Sequence, residues 1–438
     1  MLVVVLAGAV GLGGYAGVRH LRQPAALASS TPPPPDQALV DATDSPSALP
    51  TASGASPTPI GVAATLRGPL ADPRLGKRVL AEVRDVSTGS VLFAQGGTMP
   101  AAPASTAKLA TAIAALSVYQ PTDTFTTQVV AGAQPGTVVL VGGGDPTLTA
   151  AAPGHDGAYA GSARISNLAR QLHGVRHVQV DDGRFTGAGV SPYWAPEDVP
   201  SDYAAPITAA MVDGGRDTPT ARIRSTEPDL AAGRALAAAL HLPASAVSRG
   251  AAPAHAPMLA SVQSAPVATL VTQMLLESDN VIAECLARQV ALAEHQPASF
   301  AGATAGVRLA LQKLGVSLGT GMVDGSGLAA RDRLSPDTLT RVLLLAGRRT
   351  DVLDMLPVAA WSGTLADRYL GSSGAGVVRA KTGTLTSVST LAGLVQDKGG
   401  RLLAFALMAD RVGPSVADTD AAEAALDRVA STLASCGC

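Results

Sequence analysis

The sequence is poor in residues that commonly carry special chemistry. Of 438 residues three are cysteines, Cys285, Cys436 and Cys438, and none forms a C-x-x-C pair. An odd count without that spacing excludes a disulfide framework and a zinc site of the usual kind. Cys436 and Cys438 are near enough to pair only through a strained bridge, so the C-terminal tail is expected to be a frayed end. Aromatic residues make up 3% of the chain, which excludes stacking platforms as a main binding device. Net charge is −2 and charged residues are 15%, so there is no basic face and nucleic acid is not an expected partner. Glycines 142–144 are followed by Asp-Pro, not Lys-Ser or Lys-Thr, so they are no phosphate cradle. No metal and no cofactor is expected.

Lysine is the scarcest charged residue. There are five, Lys77, Lys108, Lys313, Lys381 and Lys398, against 27 arginines. A routine solvated charge in this chain is written Arg, so a lysine set among small and apolar residues carries information.

What is present begins with an apolar, uncharged run over residues 1–18. Its basic neighbours Arg19, His20 and Arg22 follow it, whereas a secretory signal carries charge in front. Residues 1–23 are read as a signal or membrane anchor, with a buried N-terminal helix as the alternative. Residues 24–60, rich in Pro, Ser, Thr and Ala, are read as a disordered linker. Such an arrangement holds a globular body off the outer face of a membrane. RVLAEVRDV and SVLFAQ flank Ser87-Thr88-Gly89 as a hairpin. Residues 105–119, 229–240 and 264–292 read as helical, and 129–148 and 177–185 as strands with turns. Three strand-like runs and an amphipathic helix over 416–434 end the chain. Strands first, helices in the middle, strands and a helix last predict an α+β fold whose sheet joins both chain ends.

Three short stretches invite a chemical reading. In PASTAKL, Ser105 and Lys108 stand three apart at the start of an apolar helix, on one face. A serine needs a neighbour to take its proton, and a lysine desolvated by Ala and Leu loses its own more readily. The helix start also favours developing negative charge. By itself SxxK is weak, because a Ser near a helix start is usually a cap. In ESDNVIAEC, Ser278, Asp279 and Asn280 open another helix and again read as a cap, with Glu284 toward solvent or the helix start. In VVRAKTGTL, Lys381 ends a strand-like run before Thr382, Gly383 and Thr384, and a turn explains the glycine but not the lysine.

SxxK, SxN and KTG in that order are the signature of penicillin-binding proteins and serine β-lactamases. From about residue 75 to 410 the chain resembles the class C low-molecular-mass penicillin-binding proteins, the D-alanyl-D-alanine carboxypeptidases and endopeptidases. The stretches GGGDPTL (142–148), YAAPITA (203–209), SDNVIAE (278–284), VDGSGL (323–328), LPVAAWSGTLADR (356–368) and KTGTL (381–385) carry the likeness. It implies an antiparallel five-stranded sheet flanked by helices, a helical lobe and an inserted accessory domain. The separation of 170 positions from Lys108 to Ser278 leaves room for that insert, placed at 122–262, with 61–121 and 263–438 forming the catalytic domain.

The resemblance also implies roles. Ser105 is the acylated nucleophile and Lys108 the general base. Ser278 shuttles the proton to the leaving D-alanine, and Asn280 binds the substrate amide. Lys381 positions the terminal carboxylate, with Thr382 donating a hydrogen bond beside Gly383. The backbone N–H groups of Ser105 and Thr384 form the oxyanion hole. Asp145 matches the residue that helps recognise the stem-peptide amine, or else it makes an Asx-Pro turn. The implied partners are peptidoglycan stem peptides, with β-lactams as covalent inhibitors and a membrane held through the N-terminal segment. The implied location is extracytoplasmic, anchored or secreted to the cell wall.

Departures from the family pattern follow GSGL, where Ala329, Ala330 and Asp332 replace Ser, Arg and Asn, so the loop at Ser326 is read as structural. EPDLAAG (227–233) precedes SDN and reads as a helix start at Pro228, so Glu227 is no catalytic base. Two rival readings stay open at this point, a serine β-lactamase and a catalytically silent wall-binding protein.

Overall fold

Two runs near the C-terminus, LAGLV within VSTLAGLVQ and all of LLAFALMA, are continuously apolar or glycine, as in strands covered on both faces. In the computed structural model, which describes residues 54–348 and 350–438, they form the middle of a sheet. The expected signal or anchor (1–23), and the expected linker up to residue 53, lie outside the described residues.

That sheet contains β1 (Val79–Asp85), β2 (Val91–Gln95), β8 (Val378–Leu385), β9 (Val388–Gln396) and β10 (Leu402–Ala409). Its order is β2-β1-β10-β9-β8, antiparallel throughout, so the two ends of the chain share one sheet as expected. Alternation along the strands assigns its faces. Leu403, Phe405 and Leu407, with Leu391 and Val395, pack under α1 (Pro59–Leu70) and α10 (Val416–Ala434). Ala404, Ala406 and Met408, with Ala392 and Leu394, face a helical lobe. The lobe contains α2 (Lys108–Val118), α5 (Val267–Glu277), α6 (Asn280–Ala293), α7 (Phe300–Lys313) and α8 (Pro336–Gly347). A short α9 (Thr350–Leu353) follows it. On β8, Val378 and Ala380 point toward α10, so the same alternation turns Lys381, paired with Ala392, toward the lobe.

A second sheet is built from residues 126–263. Its strands are β3 (Thr126–Ala131), β4 (Thr137–Val141), β5 (His177–Asp181), β6 (Val247–Arg249) and β7 (Met258–Gln263), in the order β6-β5-β4-β3-β7. β4, β5 and β6 run parallel, and β3 is antiparallel to both neighbours. α3 (Ile165–Ala169) and α4 (Pro228–Ala239) cover it with Ile165, Leu168 and Leu236.

Several expectations need correcting. The linker was expected to reach residue 60, but α1 begins at Pro59, where Thr58 accepts from Gly61 N and caps it. The helical run 264–292 is two helices, broken at Ser278, whose φ of 56° is left-handed. β6 and β7 were not anticipated, because MLASVQ mixes sizes without alternation. The C-terminal tail is not frayed. Cys436 and Cys438 are bonded, Cys436 is buried, and the Cys438 carbonyl accepts from Thr58 N at 2.8 Å. Among the described residues no helix is long and apolar enough to cross a membrane.

Phe405 is fully buried in the central strand β10. Phe405→Ala is expected to cost about 3–5 kcal/mol of stability by denaturant unfolding.

Candidate active site

Ser105 sits in a tight 3₁₀ turn, Ala104–Ala107, that leads directly into α2. Ala104 carries φ 48°, an uncommon value for a residue with a Cβ, and the surroundings must hold it there. Two glycines let them. Gly327 has φ 78°, and a Cβ on it would collide with the Ala104 carbonyl. A Cβ on Gly383 of β8 would meet the Pro103 carbonyl at 2.7 Å. Thr390 Oγ1 on β9 donates to that carbonyl at 2.8 Å, stitching the turn to the sheet.

Lys108 is fully buried. Its Nζ lies 2.9 Å from Ser105 Oγ, 2.6 Å from Asn280 Oδ1 and 2.8 Å from the Ser326 carbonyl. These are three neutral acceptors for three N–H directions, and among the described residues no carboxylate pairs with the amine. Burial lowers its pKa to about 8, and the charges of Asp324 and Asp279 foremost work against that fall.

The second predicted stretch arrives through the break between α5 and α6. Asp279 caps α6 by accepting from Ile282 N at 2.9 Å, and Asn280 is its first residue. Asn280 faces Lys108 with its oxygen and donates its nitrogen to the Tyr203 carbonyl at 3.2 Å. Ser278 is half-buried, and its hydroxyl makes no hydrogen bond among the described residues. Asp279 Oδ2 accepts from Arg224 at 2.9 Å and from Tyr159 OH at 2.8 Å. Arg216 reaches the same hydroxyl at 3.0 Å. Burial pushes the Asp279 carboxyl up, but Arg224 and Arg216 outweigh it and hold the group well below the usual carboxylate range.

Lys381 is fully buried on the lobe face of β8, and its Nζ donates to the Thr382 carbonyl at 2.9 Å. Burial, then the charges of Lys108 and Arg368, bring its pKa well down. Thr382 Oγ1 donates to Thr364 Oγ1 at 3.0 Å, and Thr384 Oγ1 to Glu423 at 2.6 Å. The structure therefore brings Ser105, Lys108 and Asn280 into hydrogen-bond contact. It sets Gly383 against the turn before Ser105 and leaves Ser278 at the helix break. Asp145 is turned elsewhere. It is buried, and Oδ1 accepts from Thr147 N and Oγ1 at 2.8 and 2.6 Å, which is the Asx-turn arrangement.

Glu284 was expected toward solvent or the helix start. It is fully buried, and both its oxygens accept from Gly325 N at 3.0 and 3.2 Å. Burial raises its pKa to about 8. The loop at Ser326 was read as structural, yet its main-chain carbonyl holds Lys108. Glu227 pairs with Arg234 and Arg249 just ahead of α4, as a helix-start residue. Sequence reasoning missed the Tyr203 carbonyl, Tyr159, Arg224 and Thr390. Tyr203 lies in a stretch that carried the family likeness, whereas Arg224 is one of many arginines and gave no signal.

The sequence pattern of the D-Ala-D-Ala carboxypeptidase 3 (S13) family matches residues 62–222 and 216–433. The chain belongs to that family. It is 43% identical over 404 residues to the carboxypeptidase Rv3627c of Mycobacterium tuberculosis, covering 88% of this chain and 86% of that one. It is 41% identical over 430 residues to carboxypeptidase DacB of Mycolicibacterium smegmatis, covering 94% and 91%. Among solved structures, penicillin binding protein 4 of Haemophilus influenzae shares the fold. The TM-score is 0.69 at 22% identity, over 83% of this chain and 98% of that one. That protein is also known complexed with a β-lactam. The S13 assignment fits the α+β architecture, with its antiparallel sheet and helical lobe.

Arg224 and Asp279 are both buried, so Arg224→Ala leaves a charge without its partner. The expected loss is about 3–5 kcal/mol in denaturant unfolding, and Arg224→Lys is expected to restore part of it.

Proposed function

We propose that the protein is a serine D-alanyl-D-alanine carboxypeptidase acting on peptidoglycan stem peptides outside the cytoplasm, with DD-endopeptidase action at the same site. The observation that carries this reading is Lys108 Nζ at 2.9 Å from Ser105 Oγ, buried and, among the described residues, without a carboxylate paired to it. Such an amine is a base near neutral pH, whereas an ion-paired lysine keeps its proton.

Ser105 Oγ attacks the carbonyl between the two D-alanines, and its proton passes to Lys108. Charge on the carbonyl oxygen is met by the N–H groups of Ser105 and Thr384. The packing of Gly383 against Pro103 and Ala104 supports this pairing, since it brings β8 beside the Ser105 turn. Ser278, whose hydroxyl has no other partner among the described residues, relays that proton from Lys108 to the departing D-alanine nitrogen and keeps its own hydroxyl intact. Asn280 changes from holding Lys108 to binding the substrate amide. Lys381 and Thr382 receive the terminal carboxylate, and among the described residues Lys381 has no carboxylate of its own in hydrogen-bond contact. Water then hydrolyses the ester at Ser105. A β-lactam enters as the same acyl donor, and its leaving group stays tethered.

Residues 122–262 form the accessory insert in this reading, supported by the second sheet they contain. The apolar run at 1–18 serves as the export or anchoring segment, supported by its composition alone.

Ser105→Ala is expected to abolish labelling by fluorescent penicillin, and to lower peptidase kcat by at least ~10³-fold, while melting as the wild type does. Undiminished labelling removes the nucleophile assignment. In wild type, the kcat/KM for acylation rises with pH and levels off near the Lys108 value of about 8, because only the neutral amine accepts a proton. Benzylpenicillin is expected to leave a long-lived adduct, and rapid sustained turnover would mark a lactamase. Mass analysis of a defined pentapeptide and a cross-linked dimer, digested side by side, apportions carboxypeptidase and endopeptidase action.

A further inference from the structure

The loop that carries Ser326 is closed by two buried aspartates with unequal surroundings. Asp324 accepts four donors. Oδ1 takes Ser326 N and Gly327 N at 3.0 and 2.6 Å, and Oδ2 takes Ala329 N and Trp194 Nε1 at 2.8 and 2.7 Å. Asp332, fully buried as well, accepts one, from Val323 N at 2.6 Å. Its second oxygen is buried and finds no N–H or O–H donor among the described residues, and the Asp324 carboxyl stands within hydrogen-bond reach of the Asp332 carboxyl. Among the described residues no arginine pairs with it, although one stands on either side in sequence. Arg331 lies over the Tyr193 ring, and Arg333 donates to the carbonyls of Ala330 and Asp332.

We propose that Asp332 is held as a neutral carboxylic acid that donates its proton to Asp324, and that it is a positioning residue for Lys108. Two carboxylates cannot share a dry contact, so a proton must lie between them. The four donors settle which of the two carries the charge, because Asp324 is solvated as an anion and Asp332 is not. Burial and the nearby Asp324 charge push Asp332 up to about 10, in the same direction.

The proton has two consequences. The first is geometric. Asp332 ties the start of the loop, at Val323, to Asp324, and Asp324 gathers the N–H groups of Ser326, Gly327 and Ala329. The Ser326 carbonyl so oriented holds Lys108 Nζ. The second is electrostatic. Lys108 stands among the carboxyl groups of Asp324, Asp279, Glu284 and Asp332, with the Lys381 amine also near, and Glu284 in turn faces Asp324 and Arg288. A charged Asp332 would add another anion to this set and hold the Lys108 proton on. As a neutral acid it gives the loop its closure without that charge.

The neutral acid is tested without catalysis. A buried carboxyl with a raised pKa loses stability as pH rises through the interval between its unfolded and folded values. Asn cannot titrate, so the melting temperature of Asp332→Asn is expected to gain on wild type steadily from about pH 5 to about pH 9. A constant gap overturns the proposal. The effect on Lys108 rests on its being the base, and is read from the acid limb of benzylpenicillin acylation. That limb in Asp332→Asn is expected to coincide with wild type, and a displacement toward acid of about half a pH unit or more shows that Asp332 was charged. Asp332→Ala, which cannot close the loop, is expected to acylate roughly tenfold more slowly, with Asn restoring the rate. Wild-type acylation in the alanine variant removes the positioning role. Should wild type show no acid limb at all, the base assignment fails, and the melting series still decides the state of Asp332.

Discussion

A lysine sealed from water needs an acceptor for every N–H, and the choice of acceptors decides what it can do. Around Lys108 all three are neutral, and they come from three distant parts of the chain: a serine hydroxyl, an asparagine oxygen and a loop carbonyl. A carboxylate in any of those places would turn the lysine into half of an ion pair, with its proton held fast. The carboxyl groups instead stand one layer back, where each has other partners. Asp279 is satisfied by Arg224 and Tyr159, Asp324 by four donors, and Glu284 by Gly325 N. Much of the packing around the site can be read as keeping that layer in place.

Strand geometry supplies the other side. Period-two alternation on β8 sends Val378 and Ala380 to the α10 face and Lys381 to the lobe. A slip of one residue would bury Lys381 under α10 and abolish the site. The register is secured where β9 and β10 are apolar on both faces, so an error there would cost the core as well. The same sheet reaches the serine turn through Thr390 and the Pro103 carbonyl, so turn and strand are fixed to one another and not merely adjacent.

The second sheet is not a bystander. Tyr159, Arg216 and Arg224 come from loops between its strands and converge on Asp279, the middle residue of SDN. Tyr203 from the same region holds Asn280 through its carbonyl. In the proposed mechanism the inserted segment therefore orients the serine and asparagine that flank Asp279, and the left-handed backbone at Ser278 is the hinge on which they are set.

Sequence alone determined the parts whose information is local or rests on pattern. The β1–β2 hairpin, the three C-terminal strands and the 416–434 helix follow from alternation, turn residues and periodicity. The scarcity of lysine made Lys108 and Lys381 conspicuous, and the order SxxK, SxN, KTG pointed to the family. Tertiary structure decided what depends on residues far apart in the chain. Glu284, at a position that reads as a cap, is buried because the Gly325 amide comes to it from another element. Asp145 is occupied by its own turn. Arg224 looks like any other arginine until the fold sets it against Asp279. Whether Asp332 carries a charge depends on what stands opposite its second oxygen. Desolvation and donor count are properties of a filled space, and a linear pattern does not say what fills it.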